Sequence, residues 1–188
     1  KRGVYINNID VFEDLADIEL ICTDKTGTLT LTVLEVMDHD RAIDKDEFNK
    51  YLYLSSMDSS DPFDVALQDH LKEMGYKPEE TLGYESRTFD PFIKTSSRKF
   101  KDFEIHKGAP EYILSKMHFE NNLALSLKVK KRTSTGERAL SLIKEKDGKK
   151  EYLGTIFFQD PIKPDAKETI KNLFNKGIKL KLISGDNL

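Results

Sequence analysis

An apolar run, Ile18-Glu19-Leu20-Ile21-Cys22, ends directly on Thr23-Asp24-Lys25-Thr26-Gly27-Thr28-Leu29-Thr30, and this junction restricts the architecture more than any other stretch. A short apolar run stopped by small polar residues reads as a strand that delivers a carboxylate at its C-terminal end. In an open α/β sheet, the loops leaving that edge form the ligand crevice. Asp24 is therefore a candidate nucleophile: a carboxylate can attack phosphorus to give an aspartyl-phosphate, dividing one hard hydrolysis into two easier steps. Thr26 to Thr30 add backbone N–H groups and hydroxyls able to cradle a phosphoryl group. An isolated Asp-Thr pair is as often an ordinary turn cap. A given heptapeptide such as Asp24 to Thr30, however, arises by chance only about once in 10⁹ positions.

The remaining 188-residue composition narrows the class. With 30 basic and 33 acidic residues, a formal net charge of -3 offers no positive field to recruit nucleic acid. The single cysteine, Cys22, can form no internal disulfide and reads as a small buried strand residue. No apolar stretch is long enough to span a bilayer. The four histidines, His39, His70, His106 and His118, have no second ligand at metal spacing.

Past the Asp24 segment, helical spacing resumes at Asp44, to about Met57, and a second helix opens at Asp61-Pro62 and stops near Gly75. Two β-rich segments are expected, from Tyr84 to Ile93 and from Arg98 to His106, then a short helix from Pro110 to Met117. Leu123 to Lys131 fits either helix or strand. Arg138 to Lys144 and Tyr152 to Phe158 read as a hairpin across Lys146-Asp147-Gly148-Lys149. Pro164-Asp165 then starts an amphipathic helix with Ile170, Leu173 and Phe174 inward, and Ile178 to Ile183 reads as a strand. The expected organisation is α/β, with residues 1–32 and 157–188 as two parts of a parallel-sheet domain and 33–156 as an α+β insertion. Leu31-Thr32-Val33 and Gln159-Asp160-Pro161 would be paired hinge strands.

Cys22 to Thr30 resembles the phosphorylation motif of the P-type (E1-E2) ATPases, pumps of the haloacid-dehalogenase-like superfamily. The resemblance implies a Rossmann-like phosphorylation domain, here incomplete, into which a nucleotide-binding domain with an antiparallel sheet is inserted. It implies ATP and Mg²⁺, catalytic roles for Asp24, Lys25 and Thr26, and a metal held by Asp24 and the Thr26 carbonyl. Ser184-Gly185-Asp186-Asn187 is similar to the family's second phosphate-binding element, which assigns Ser184, Gly185 and Asp186 to the same site. The family's later Gly-Asp-Gly-x-Asn-Asp motif, which completes the metal site, does not occur here, so the chain alone is expected to bind nucleotide but to phosphorylate itself poorly.

Further motifs carry the nucleotide assignments. Lys107-Gly108-Ala109-Pro110-Glu111 resembles the family's Lys-Gly-Ala-Pro-Glu, whose lysine lies in the ATP pocket, and assigns Lys107 and Gly108. Phe89-Asp90-Pro91-Phe92 resembles the segment whose second phenylalanine stacks on adenine, which assigns Phe92. The family's lysine five residues after that phenylalanine is Ser97 here, leaving Arg98 or Lys99 for the phosphate contact. Gly136 to Leu140 resembles a segment supplying an arginine to the phosphates, which assigns Arg138. Asp160-Pro161-Ile162-Lys163 resembles the hinge motif Asp-Pro-Pro-Arg and assigns Asp160 and Lys163 to the nucleotide, with a lysine that lacks arginine's bidentate fork.

By the same resemblance the chain is part of the cytosolic loop of a membrane pump, expected as a monomer. Its transported cation would pass through membrane helices elsewhere in the polypeptide, placing the chain on the cytoplasmic face. Two other readings share these residues. A soluble haloacid-dehalogenase-like phosphatase would carry an aspartate two residues after the nucleophile, where this chain has Thr26. A non-catalytic nucleotide-binding module is the third.

Overall fold

The structure is a computed structural model that describes residues 17–78, 83–115 and 122–183. The chain divides into two compact units, one from residues 1–32 and 162–188 and one from Val33–Pro161.

In the first unit, β1 (Leu20–Thr23) and β8 (Lys179–Leu182) pair in parallel, with Thr23 opposite Leu182. Both strands therefore discharge their chains at the same edge, Asp24 from one and Ile183 from the other. Helix α5 (Ala166–Asn175) precedes β8. Ala166 is buried and Ile170 and Leu173 are half-buried, but Phe174 is 58% exposed, against the sequence expectation. Ala166, Ile170 and Leu173 form one stripe at helical spacing, and Phe174 falls about 80° round the helix from Ala166, off that stripe.

The second unit is a six-stranded sheet in the order β2-β7-β6-β5-β4-β3, antiparallel throughout. Its strands are β2 (Glu35–Arg41), β3 (Glu85–Asp90), β4 (Thr95–Lys99), β5 (Glu104–Gly108), β6 (Arg138–Lys146) and β7 (Lys149–Gln159). Its helices are α1 (Lys45–Ser56), α2 (Pro62–Glu73), α3 (Pro110–Ser115) and α4 (Asn122–Thr133). Successive strand residues face opposite sides. Leu142 and Leu153 accordingly join Phe48, Leu52, Leu67 and Phe158 in one core under α1 and α2, while Ile143 and Tyr152 join Ile113 and Leu114 in another under α3.

Local chemistry explains where α1 and α2 start. Asp44 accepts the Asp46 N–H at 2.8 Å and Asp61 accepts the Phe63 N–H at 2.9 Å, with Pro62 at the first position of α2. Each cap contributes about 1 kcal/mol. The segment expected as one strand from Arg98 to His106 is two, because Phe100 and Phe103 close a turn: the Phe100 N–H donates to the Phe103 carbonyl and the rings stack 4.9 Å apart. Leu123 to Lys131 is helical. Strand β2 escaped the sequence reading because its charged residues, Asp38, Asp40 and Arg41, suit an edge strand rather than an apolar one.

Because β7 runs through Phe157 and Phe158 to Gln159, the boundary expected at 156/157 falls instead at 161/162. The expected hinge pairing is also displaced. Thr30 bridges Ile162 within the first unit, and Glu35 pairs with Gln159 within the second.

Candidate functional site

In the first unit Asp24 follows β1 and is exposed. Its Oδ1 accepts the Lys25 N–H at 2.7 Å. The loop behind it is tightly wound: the Lys25 carbonyl accepts from the Leu29 and Thr30 N–H groups at 3.0 and 3.2 Å, and the Gly27 N–H donates to Thr30 Oγ1 at 3.1 Å. Gly27 has φ +76, a left-handed conformation that glycine adopts without strain. The Lys163 ammonium donates to the Gly27 carbonyl at 3.0 Å. Ser184, Gly185 and Asp186 lie outside the described residues.

In the second unit a cavity of about 820 Å³ opens on the α1/α2 face of the sheet. Among its walls are Lys107, Gly108, Phe89, Lys94, Arg98 and Asp64. Strand alternation puts Ile105 and Lys107 on this face and His106 on the other. Lys107 is only 7% exposed. Its ammonium forms an ion pair with Asp64, itself 6% exposed, and donates to the Ser55 carbonyl at 3.1 Å. Burial draws this ammonium down to about 8, opposed by the Asp61 carboxylate. The contact with Asp64 favours its charged form as well.

The position of Lys107 follows from the end of α1. The last carbonyls of a helix have no partner within it. Here Leu54 O accepts from Arg98 Nη1 at 2.9 Å, Ser55 O from Lys107, and Ser56 O from Gln68 Nε2 at 2.7 Å. Two cations thus meet the negative end of α1, and Asp64 lies in the first turn of α2, where the helix dipole favours a carboxylate. The Arg98 guanidinium also packs over the Tyr84 ring, 5.1 Å from its centroid, and burial lowers its pKa from the ordinary value.

Gly108 is required by a close approach. A Cβ there would lie 2.4 Å from the Lys94 carbonyl oxygen and 2.9 Å from Thr95 Cα, while the Ala109 N–H bonds that same carbonyl at 3.0 Å. Gly108→Ala is expected to destabilise the unit by about 3 kcal/mol through overpacking against backbone. Urea denaturation checks this, and an unchanged midpoint would refute the packing argument.

The structure separates the other nucleotide candidates. Phe92 is 94% exposed in the turn between β3 and β4 and lines no part of the cavity. Phe89 and Lys94 do line it. They stand five residues apart, which is the phenylalanine-to-lysine spacing that Phe92 and Ser97 fail to supply. Ser97 instead donates to Glu104 at 2.6 Å, and Lys99 is exposed. Arg138 and Asp160 are brought together, Nη2 to Oδ2 at 3.0 Å, beside but not among the lining residues. Sequence reading missed Asp64, 43 residues from its partner; its place in the first turn after a Pro-opened cap was the available signal.

On the opposite face His106 Nε2 is buried without a hydrogen-bond partner, 3.5 Å from Glu145 and 3.9 Å from Glu104. Burial lowers the pKa of His106, against the two glutamates, and lowers those of His39 and His70 as well. Near its ordinary pKa of about 6.5, an unfolded histidine takes up a proton that the folded one resists. Stability is therefore expected to fall as pH drops from about 7 toward 5. The urea midpoint should be lower at the acid end, and His106→Gln should flatten the slope; a midpoint that rises on acidification contradicts this.

The chain is an α/β protein with an aspartate at a strand end and a second unit inserted into the first. A family model described as haloacid dehalogenase-like hydrolase matches residues 18–188, and the chain belongs to that family. Over its whole length it is 28% identical to a Methanocaldococcus jannaschii protein whose name places it among cation-transporting ATPases, and 29% identical to a plasma membrane ATPase of Dunaliella bioculata. It spans 25% and 18% of their respective lengths. The structure of a zinc-transporting PIB-type ATPase in its E2.Pi state superposes with a TM-score of 0.71 over 93% of this chain and 27% of that one, at 20% identity, a likeness of fold.

The site residues suit a magnesium ion. Asp24 and the Thr26 carbonyl offer two hard oxygen ligands, and Mg²⁺ bound by one or two protein oxygens completes its shell with water and phosphate. Among the described residues no group of three or more histidine, cysteine or acidic side chains is gathered for a metal, and no helix is long and apolar enough to cross a membrane.

Proposed function

We propose that this chain is the ATP-binding and phosphorylation region of a membrane cation pump, on the cytoplasmic face, working through an aspartyl-phosphate at Asp24. The observation that carries the reading is Lys107, a buried ammonium in the wall of a cavity large enough for a nucleotide. Phe89 offers the adenine an aromatic face and takes over the role first given to Phe92. Lys94 and Lys107 meet the phosphates, with Gly108 allowing close backbone approach. Arg138 and Asp160 supply further contacts to phosphate and ribose once their mutual ion pair opens.

Asp24 attacks the γ-phosphorus in line while the bond to the β-phosphate bridging oxygen breaks, leaving ADP. Magnesium, held at Asp24 and the Thr26 carbonyl, would neutralise charge on the phosphate oxygens. Lys25 is assigned to the same phosphoryl group, together with Ser184, Gly185 and Asp186. Thr26 stands where a phosphatase would carry its general acid, which favours a long-lived phosphoenzyme over rapid hydrolysis.

The test is formation of an acid-stable, hydroxylamine-sensitive phosphoenzyme from labelled ATP by the intact membrane protein, across a panel of single cations. Labelling that depends on one cation or on proton concentration supports a pump. ATP binding without label under any condition favours a non-catalytic nucleotide module.

A further inference from the structure

We propose that Lys163 is a positioning residue for the nucleophile loop rather than a ligand of the nucleotide. The inference rests on the reading of Asp24 as nucleophile.

Lys163 holds the loop twice. Its main-chain N–H donates to the Leu29 carbonyl at 2.9 Å, and its ammonium donates to the Gly27 carbonyl at 3.0 Å. Beside it Ile162 bridges Thr30, whose buried hydroxyl accepts the Gly27 N–H and bonds the Lys25 carbonyl at 3.4 Å. The loop's own hydrogen bonds hold the Gly27 N–H and the Lys25 carbonyl, whereas the Gly27 and Leu29 carbonyls are held from outside it. Lys163 supplies that hold from a segment more than 130 residues away, fixing the orientation of the peptide that follows Gly27. The peptide before it, which carries the Thr26 carbonyl, is held through the Gly27 N–H on Thr30 Oγ1, so the ammonium and the Thr30 hydroxyl fix Gly27 from both sides. Lys163 is not among the residues that line the cavity, and its ammonium supports the aspartate's loop instead. The contact needs one charged donor rather than a bidentate fork, so lysine suffices where the related motif has arginine.

The main-chain bond survives any substitution except proline, so side-chain variants remove one clamp and keep the other. In the intact membrane protein, Lys163→Met is expected to lower the maximal rate of phosphoenzyme formation at least tenfold, leaving the half-saturating ATP concentration within twofold. Lys163→Arg should restore most of the rate, and thermal melting of the chain carrying Lys163→Met should show a folded first unit. A raised half-saturating ATP concentration at an unchanged maximal rate would make Lys163 a nucleotide ligand and overturn the proposal, as would no change in either quantity. If Asp24→Asn still labels, the nucleophile reading fails instead, and the two failures are told apart.

Discussion

Asp24→Asn is expected to reduce acid-stable labelling of the intact protein to background while changing ATP affinity by less than about twofold. The substitution is nearly isosteric, and the asparagine Oδ1 can still accept the Lys25 N–H that Asp24 accepts at 2.7 Å, so the loop keeps its conformation. What is lost is the anionic nucleophile, since a neutral amide does not attack phosphorus at a useful rate. Nucleotide affinity should persist because the proposed ligands lie in the other unit. Retained labelling would remove Asp24 from its role. Lost labelling with lost ATP binding would point to damage beyond the nucleophile.

Lys107→Ala is expected to raise the Kd for ATP at least tenfold and also to cost the unit about 3 kcal/mol or more. Binding suffers because a cation in a low-dielectric wall attracts phosphate far more strongly than one in water. Stability suffers because the Asp64 carboxylate is left buried without its counter-ion and Ser55 O loses its donor. The two losses can be separated. Adding Asp64→Ala to Lys107→Ala removes the stranded charge and should recover part of the stability, but none of the affinity. Calorimetric titration and urea denaturation of the four proteins of the cycle measure both. Full recovery of ATP binding in the double variant would mean that Lys107 serves only the fold.

Much of the architecture was legible because its signals are local. Asp44 and Asp61-Pro62 announce helix starts through hydrogen bonds to residues two positions away, and Asp147-Gly148 supplies the positive φ angles that the β6–β7 turn requires. The strand-end position of Asp24 was legible for the same reason, as that of a polar residue stopping an apolar run. Lys107 and Gly108 were assigned by motif, but why a lysine is tolerated in that wall was not legible, because its partners come from α1 and α2, 52 and 43 residues earlier. Phe92 was assigned by motif alone, while Phe89 in the same segment lines the cavity. Both belong to one aromatic, proline-containing segment, and only the fold of the β3–β4 turn sets Phe89, 56% exposed, among the cavity's walls and leaves Phe92, 94% exposed, outside them.

The capped end of α1 has a consequence for cooperativity. Its final carbonyls depend on Arg98 from β4, Lys107 from β5 and Gln68 from α2, so this turn cannot be complete until three distant elements have docked. Amide exchange there should report opening of the unit as a whole rather than local fraying. The same lysine both closes that turn and meets the proposed ligand, so occupancy and folding share one equilibrium. ATP at 100 times its Kd would add about 2.7 kcal/mol to the unit, making the nucleotide a partner in keeping its own receptor assembled.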